Sequence, residues 1–332
     1  MRAVVLVGGF GTRLRPLTYT TPKPLLPVGH RPMLELVLGN LARAGIEEAV
    51  LSLGFRPDVF GAAYPDGMCA GVHLNYAVEP EPLDTAGAIR FAARHAEIDD
   101  TFVVVNGDVL TDLDVAALAA FHRLHAGEGT IHLTAVEDPS AFGVVAADEA
   151  GRVLAFIEKP PPESSPTNLV NAGTYVLEPS VLERIPGERK VSIERETFPA
   201  MVADGRLFAM ATDDYWLDTG RPDLFLLANL DLLDGRRRWD RCEGVASEAV
   251  VDPLAEVLHS VIGAGAEIGP RARVVDSVLL PGARVGAGAE VCASVLAGGA
   301  VVGEDAVVRG SVIGDGYEVP AREVLVDARV PA

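Results

Sequence analysis

Two periodicities divide the chain. Up to about residue 234, short apolar runs alternate with segments whose apolar positions recur every three or four residues. Ala3 to Val7, Ala49 to Leu53 and Thr101 to Val105 are continuous runs and predict buried strands. Leu34, Val37, Leu38 and Leu41 lie at helical spacing before Gly45, and a second helix is predicted from Thr85, as its cap, to about Ala96. Strand and helix in alternation predict a Rossmann-like α/β domain, a mostly parallel sheet with helices on both faces. Ligands of such sheets bind at the carboxyl ends of the strands.

From Ser260 the period changes. Residues 260–327 divide into units of 17 that begin at Ser260, Ser277, Ser294 and Ser311, each followed by Val. In register stand Ile262, Leu279, Leu296 and Ile313, then Ile268, Val285, Val302 and Val319, then Val274, Val291, Val308 and Leu325. The apolar spacing is six, and Gly265, Gly282, Gly299 and Gly316 mark a recurring corner. Each unit therefore reads as one three-sided coil with one side a residue short. This resembles the left-handed parallel β-helix of hexapeptide-repeat proteins. The chain divides accordingly into a domain of residues 1–234, a connector of 235–258 and a β-helix of 259–332. Arg236, Arg237 and Arg238 in the connector read as a solvated face. Flat apolar coil faces predict a homo-oligomer.

Composition narrows the partners. The 332 residues carry a net charge of −19, which argues against nucleic acid and requires a local cationic pocket for any small anion. Of 28 basic residues only Lys23, Lys159 and Lys190 are lysines, and two of these stand in Pro-Lys-Pro and Glu-Lys-Pro. A lysine in so arginine-rich a chain marks a place for a compact point charge. Three cysteines, Cys69, Cys242 and Cys292, are too few and too scattered for a disulfide framework or a metal cluster. No apolar stretch has signal-peptide or membrane-spanning character, so a cytoplasmic protein away from membranes is expected.

The candidate chemistry begins in the first strand. Leu6-Val7-Gly8-Gly9-Phe10-Gly11-Thr12-Arg13-Leu14-Arg15-Pro16 runs from a strand into a glycine loop, followed by Pro22-Lys23-Pro24. Backbone N–H groups of such a loop can close on a polyphosphate, and cations just beyond it suit phosphoryl-type transfer. The P-loop pattern fails for want of Gly-Lys-Ser/Thr. The dinucleotide fingerprint fails because Leu14 stands where its third glycine would lie, and the next strand ends in Gly54 without the ribose-binding acid. Asn106-Gly107-Asp108 and Trp216-Leu217-Asp218-Thr219-Gly220 each place an acid suited to turn or metal.

Together these segments resemble the sugar-phosphate nucleotidyltransferases, whose opening motif is Leu-x-Gly-Gly-x-Gly-Thr-Arg-Leu with Pro-Lys-Pro a dozen residues on. The resemblance spans nearly the whole chain. It implies that Leu6, Gly8, Gly9, Gly11, Thr12 and Arg13 bind the nucleotide, with Asp84, Thr85 and Gly87 beside base and ribose and Asp108 near the phosphates. Asp84 departs from the glycine of many relatives, and Glu79 and Glu81 read as solvated loop acids in preference to partners of a base edge. Arg13 and Lys23 are the implied catalytic cations. Asp108 and Asp218 are the implied ligands of Mg²⁺. Glu158, Lys159, Asn171 and Gly173 are implied to hold the sugar phosphate, Lys159 at its phosphate.

Leu-Val-Gly-Gly, Asn-Gly-Asp-Val, Phe-Ile-Glu-Lys-Pro and Asn-Ala-Gly-x-Tyr are arranged as in the branch that makes GDP-mannose from GTP and mannose-1-phosphate. Thymidylyl-, uridylyl- and cyclitol-phosphate branches share most of these residues. Two rivals lie in other classes. A silent regulatory subunit would have lost a cationic or metal position, and none is missing here. A β-helix acyltransferase would need a general base in its coils, where only His259 stands at the edge.

Overall fold

The computed structural model describes every residue except Phe55, Pro162, Glu163, Glu188 and Ala332. It divides into two compact units, one of Met1–Gly9 with Val37–Trp216 and the other of Phe10–Leu36 with Leu217–Ala332.

The first unit is built on a ten-stranded sheet. At its centre the strands Phe102–Asn106, Ala3–Leu6, Glu48–Leu53 and Val72–Val78 run parallel, in that order. Val4, Val50 and Val104 lie side by side there, almost wholly excluded from water, as continuous apolar runs require. Beyond Phe102–Asn106 the sheet turns antiparallel through Leu169–Leu177, Gly143–Ala147 and Val153–Glu158. The sheet is thus mixed. For the last of these pairs the reason is connection length, since the few residues between Gly143–Ala147 and Val153–Glu158 allow a hairpin but not a crossover.

The helices fall where the spacing puts them, at Met33–Arg43 and Asp84–His95. Thr85 is not the cap of the second. Its hydroxyl accepts the Ile193 N–H at 2.9 Å and donates to Glu194 Oε2 at 2.7 Å, so it fastens the helix start to a distant segment instead.

In the second unit the helix Pro222–Leu233 leads into the coils. Three parallel sheets of five short strands each form the sides. Their first strands, Val250–Val251 and Glu256–Leu258, pair with Glu267–Ile268 and Arg273–Val275, so the coil begins inside the stretch read as a connector. Every pairing is offset by one 17-residue unit, as with Val261 on Val278 and Val295 on Val312. The three apolar series fill the interior, with Ala266, Ala283 and Ala300 between them. The arginine run is a solvated face only at Arg236 and Arg238, which are exposed. Arg237 is 2% exposed and pairs with Asp240 at 3.2 Å, Arg31 meets the same carboxylate at 2.7 Å, and Arg236 reaches Asp231 at 3.3 Å.

The repeated serines solve a hydrogen-bonding problem. Ser260, Ser277, Ser294 and Ser311 are all buried, and each hydroxyl donates to the carbonyl two residues earlier while accepting an N–H one coil further on. A buried N–H with no partner would otherwise be left at every coil. Ser294→Ala removes the acceptor of the Ser311 N–H at 3.0 Å and is expected to lower unfolding stability by about 1–3 kcal/mol in a denaturant titration. An unchanged midpoint would show that the ladder is not needed.

Candidate functional site

In the first unit the strand Phe102–Asn106 ends against the glycine-loop strand, and the sharp turn after it carries Asp108. Gly107 passes so close to Ala3–Leu6 that a Cβ there would lie 2.5 Å from Val7 Cγ1 and 3.0 Å from the Leu6 carbonyl. Its N–H donates to that carbonyl at 2.9 Å. Asn106 meanwhile lies against Gly173, at the point where the Leu169–Leu177 strand loses register with Gly129–Ala135. Asp108 and the Asn171-Ala172-Gly173 segment therefore share one end of the sheet.

Asn171 is held firmly. Its Nδ2 donates to Tyr175 Oη at 3.0 Å and its Oδ1 accepts the Gly173 N–H at 3.0 Å. Burial holds the Tyr175 phenol far above its ordinary pKa, and Glu194, Glu158 and Asp108 add to the effect with their charge, so it remains a neutral hydroxyl. Trp216 Nε1 closes the same corner by donating to the Ala172 carbonyl at 2.9 Å. At the end of Val153–Glu158, Lys159 adopts a left-handed backbone, φ 48°, immediately before Pro160. Both features are unfavourable for lysine, and together they turn an exposed ammonium toward Glu158 Oε1, 3.4 Å away.

Around the start of the Asp84–His95 helix, Asp84 also has a left-handed backbone, φ 60°. That explains why glycine suits this position and why an aspartate, among the more tolerant residues, can replace it. Gly87, on the first turns of this helix, donates its N–H with that of Ala86 to the Val191 carbonyl. Glu79 is not a free loop acid. It accepts from Ser52 Oγ at 2.8 Å and the Leu83 N–H at 3.1 Å, and stands beside Gly8. Glu81 is exposed, in keeping with its reading as a solvated acid. Leu6 packs on the sheet core, and Gly9 faces open space.

In the second unit, Gly11 accepts from the Thr18 hydroxyl at 2.7 Å and opens the short turn Thr12–Leu14. Lys23 is only 6% exposed and its Nζ lies 3.7 Å from Asp218 Oδ1, while the exposed Arg13 lies 4.0 Å from Oδ2. Asp218 also accepts the Gly220 N–H at 2.8 Å. Both catalytic cations predicted from sequence thus flank the acid predicted as a metal ligand. His259, the one histidine of the tail, is bonded by Asp276 at 2.6 Å and Asp234 at 3.0 Å, which raises its pKa and makes it part of a surface ion cluster.

Sequence reasoning missed Glu194, Trp216 and Asn106, and misread Glu79. Trp216 stood in a quoted motif, but its bond to Ala172 spans 44 residues and no local pattern announces it.

Residues 2–235 match the nucleotidyl transferase family and residues 240–328 the GlmU-like C-terminal hexapeptide family. The chain belongs to the nucleotidyl transferase family, with the hexapeptide β-helix as its second part. It is 44% identical over 274 residues to a mannose-1-phosphate guanylyltransferase of Mycobacterium tuberculosis, covering 80% of this chain and 76% of that protein. It is 45% identical over 232 residues to a mannose-1-phosphate guanyltransferase of Aspergillus fumigatus, covering 68% and 62%. Among solved structures, a putative glucose-1-phosphate thymidylyltransferase of Bacillus anthracis superposes with a TM-score of 0.63 at 25% identity over 69% of this chain and 94% of that one. HddC of Yersinia pseudotuberculosis complexed with GMP-PN gives 0.58 at 27%, over 69% and 97%. Among the described residues no helix is long and apolar enough to cross a membrane.

The close approach at Gly107 sets up a paired test. Gly107→Ala is expected to lower stability by about 1–3 kcal/mol through overpacking and to reduce turnover by displacing Asp108. Gly9→Ala, with nothing within 4 Å of the new methyl, leaves the melting temperature unchanged. Equal melting temperatures for the two variants would contradict the account.

Proposed function

We propose that this chain transfers a guanylyl group from GTP to mannose-1-phosphate, forming GDP-mannose and pyrophosphate with Mg²⁺. The single observation that supports the chemistry most is the pair of cations around Asp218, a buried ammonium and an exposed guanidinium on the segment that follows the glycine loop. In a chain of net charge −19 this is where a triphosphate finds compensation. The names of the relatives above support the choice of guanine and mannose.

In this reading a sugar phosphate oxygen attacks the α-phosphorus of the nucleotide, a new P–O bond forms, and the bond to the β-phosphate breaks with its electron pair leaving on pyrophosphate. Gly8, Gly9, Gly11 and Thr12 line the triphosphate, and Arg13 and Lys23 offset the charge that grows as it divides. Lys159 binds the phosphate of the sugar, Glu158 and Asn171 its hydroxyls, and Gly173 borders the same sugar site. Asp84, Thr85 and Gly87 border base and ribose.

Asp108 and Asp218 are the residues that would hold Mg²⁺. Both offer hard carboxylate oxygens, and no group of three or more His, Cys, Asp or Glu is gathered among the described residues. One or two carboxylates completed by substrate phosphates is the donor set Mg²⁺ accepts. The ion would supply charge neutralisation at the phosphates.

Pyrophosphate release measured for five nucleoside triphosphates against mannose-, glucose- and N-acetylglucosamine-1-phosphates tests the reading. GTP with mannose-1-phosphate is expected to give the highest kcat/KM, and preference for another pair would reject the guanine and mannose assignment. Two variants test the roles. Lys159→Ala is expected to raise the KM for the sugar phosphate far more than for GTP, whereas Lys23→Ala chiefly lowers kcat, on the order of 10²-fold. Equal effects on both substrates would remove the assignment of the two lysines.

A further inference from the structure

The four 17-residue units differ sharply at their fifth position. There the units carry Ala264, Pro281, Gly298 and Asp315, so an acid stands in the last unit where the others have small or apolar residues. The β-helix itself has no need of a carboxylate at this corner, as the other three units demonstrate. Asp315 instead has two partners. Its Oδ1 accepts the Gly298 N–H of the preceding coil at 3.0 Å, and its Oδ2 accepts the hydroxyl of Thr20.

Thr20 lies on the segment that carries Arg13 and Lys23, and two more approaches join the last coils to this segment. Arg329 Nη1 donates to the main-chain carbonyl of Arg13 at 3.4 Å, and a side chain at Gly314 would come within 3.0 Å of Pro16 Cβ. Within the segment, Thr18 fixes Gly11, Leu14 and Leu17 are fully buried, and the Arg15 guanidinium stacks over Tyr19. A constraint on Thr20 is therefore transmitted to Arg13 through a short, internally braced stretch. Phe10–Leu36 falls in one unit with Leu217–Ala332.

We infer that Asp315 is a positioning residue, a clamp by which the last coils of the β-helix hold the Arg13 segment in its working geometry. The inference rests on the role given to Arg13 under the proposed function. Asp315 never touches substrate and acts only through the loop. Its carboxylate is suited to this because one oxygen is fixed by a coil N–H while the other remains free to take the loop hydroxyl.

The test is a kinetic cycle with full-length protein. Asp315→Ala is expected to lower kcat roughly 10- to 100-fold, in line with a misplacement of about 1 Å, and to leave the KM for the sugar phosphate unchanged. Asp315→Asn, which keeps an acceptor for Gly298 and a polar partner for Thr20, restores most of the turnover. Thr20→Val reproduces the loss from the loop side while leaving the coils intact. In an Arg13→Ala background, Asp315→Ala costs nothing further. A merely structural role would lower stability without this pattern. Full activity of Asp315→Ala beside a crippled Arg13→Ala, or losses that multiply in the double variant, would overturn the inference. Full activity of Arg13→Ala itself would instead reject the role on which it rests.

Discussion

The ammonium of Lys23, nearly shut off from water, has to be balanced. An isolated buried charge costs several kcal/mol, and a carboxylate 3.7 Å away offsets that cost only while both partners remain in place. Much of the second unit follows from this. The Phe10–Leu36 segment is held to Asp218 by the Lys23 and Arg13 contacts, and it falls in one unit with Leu217–Ala332 despite their separation in sequence. The same balance prepares the chemistry. In the proposed reaction an incoming triphosphate would bring negative charge to cations already held by Asp218, so little reorganisation would be needed as charge develops.

The first unit contributes by backbone geometry more than by charge. The carboxyl end of Phe102–Asn106 lies beside the opening residues of the antiparallel Leu169–Leu177, and the tight passages at Gly107 and Gly173 bring the Asp108 turn and the Asn171 segment to one end of the sheet. Tyr175, kept neutral by burial, anchors Asn171 without adding charge. The unfavourable backbone of Lys159 is local strain that packing elsewhere must hold.

Much of this was legible in the sequence, for identifiable reasons. Continuous runs such as Val4-Val5 and Val103-Val104-Val105 can satisfy their burial only as inner strands, and the 17-residue register of the tail is enforced by coil stacking. One coil corner was visible because it is glycine. The others, at Arg271, Gly288, Asp305 and Arg322 and at His259, Asp276, Ala293, Gly310 and Asp327, are equally left-handed but mostly carry ordinary side chains, so no repeated glycine marks them. The Gly143–Ala147 and Val153–Glu158 pair was not foreseen as antiparallel because connection length, not strand composition, decides direction there. Arg237 was misread because a run of three arginines looks solvated until the fold places Asp240 under the middle one. Thr85 and Glu194 meet across 109 residues, a pairing that only the tertiary structure reveals.

The account stands or falls on the pair that balances the buried lysine. The direct measurement is a thermodynamic cycle in chemical denaturation, with turnover followed in parallel, for Lys23→Met, Asp218→Asn and the double variant. Each single change removes the Lys23–Asp218 pairing while keeping the other charge and is predicted to cost roughly 2–4 kcal/mol, while the double variant recovers most of that stability and remains inactive. Stability losses that simply add, or a double variant that still turns over, would contradict it.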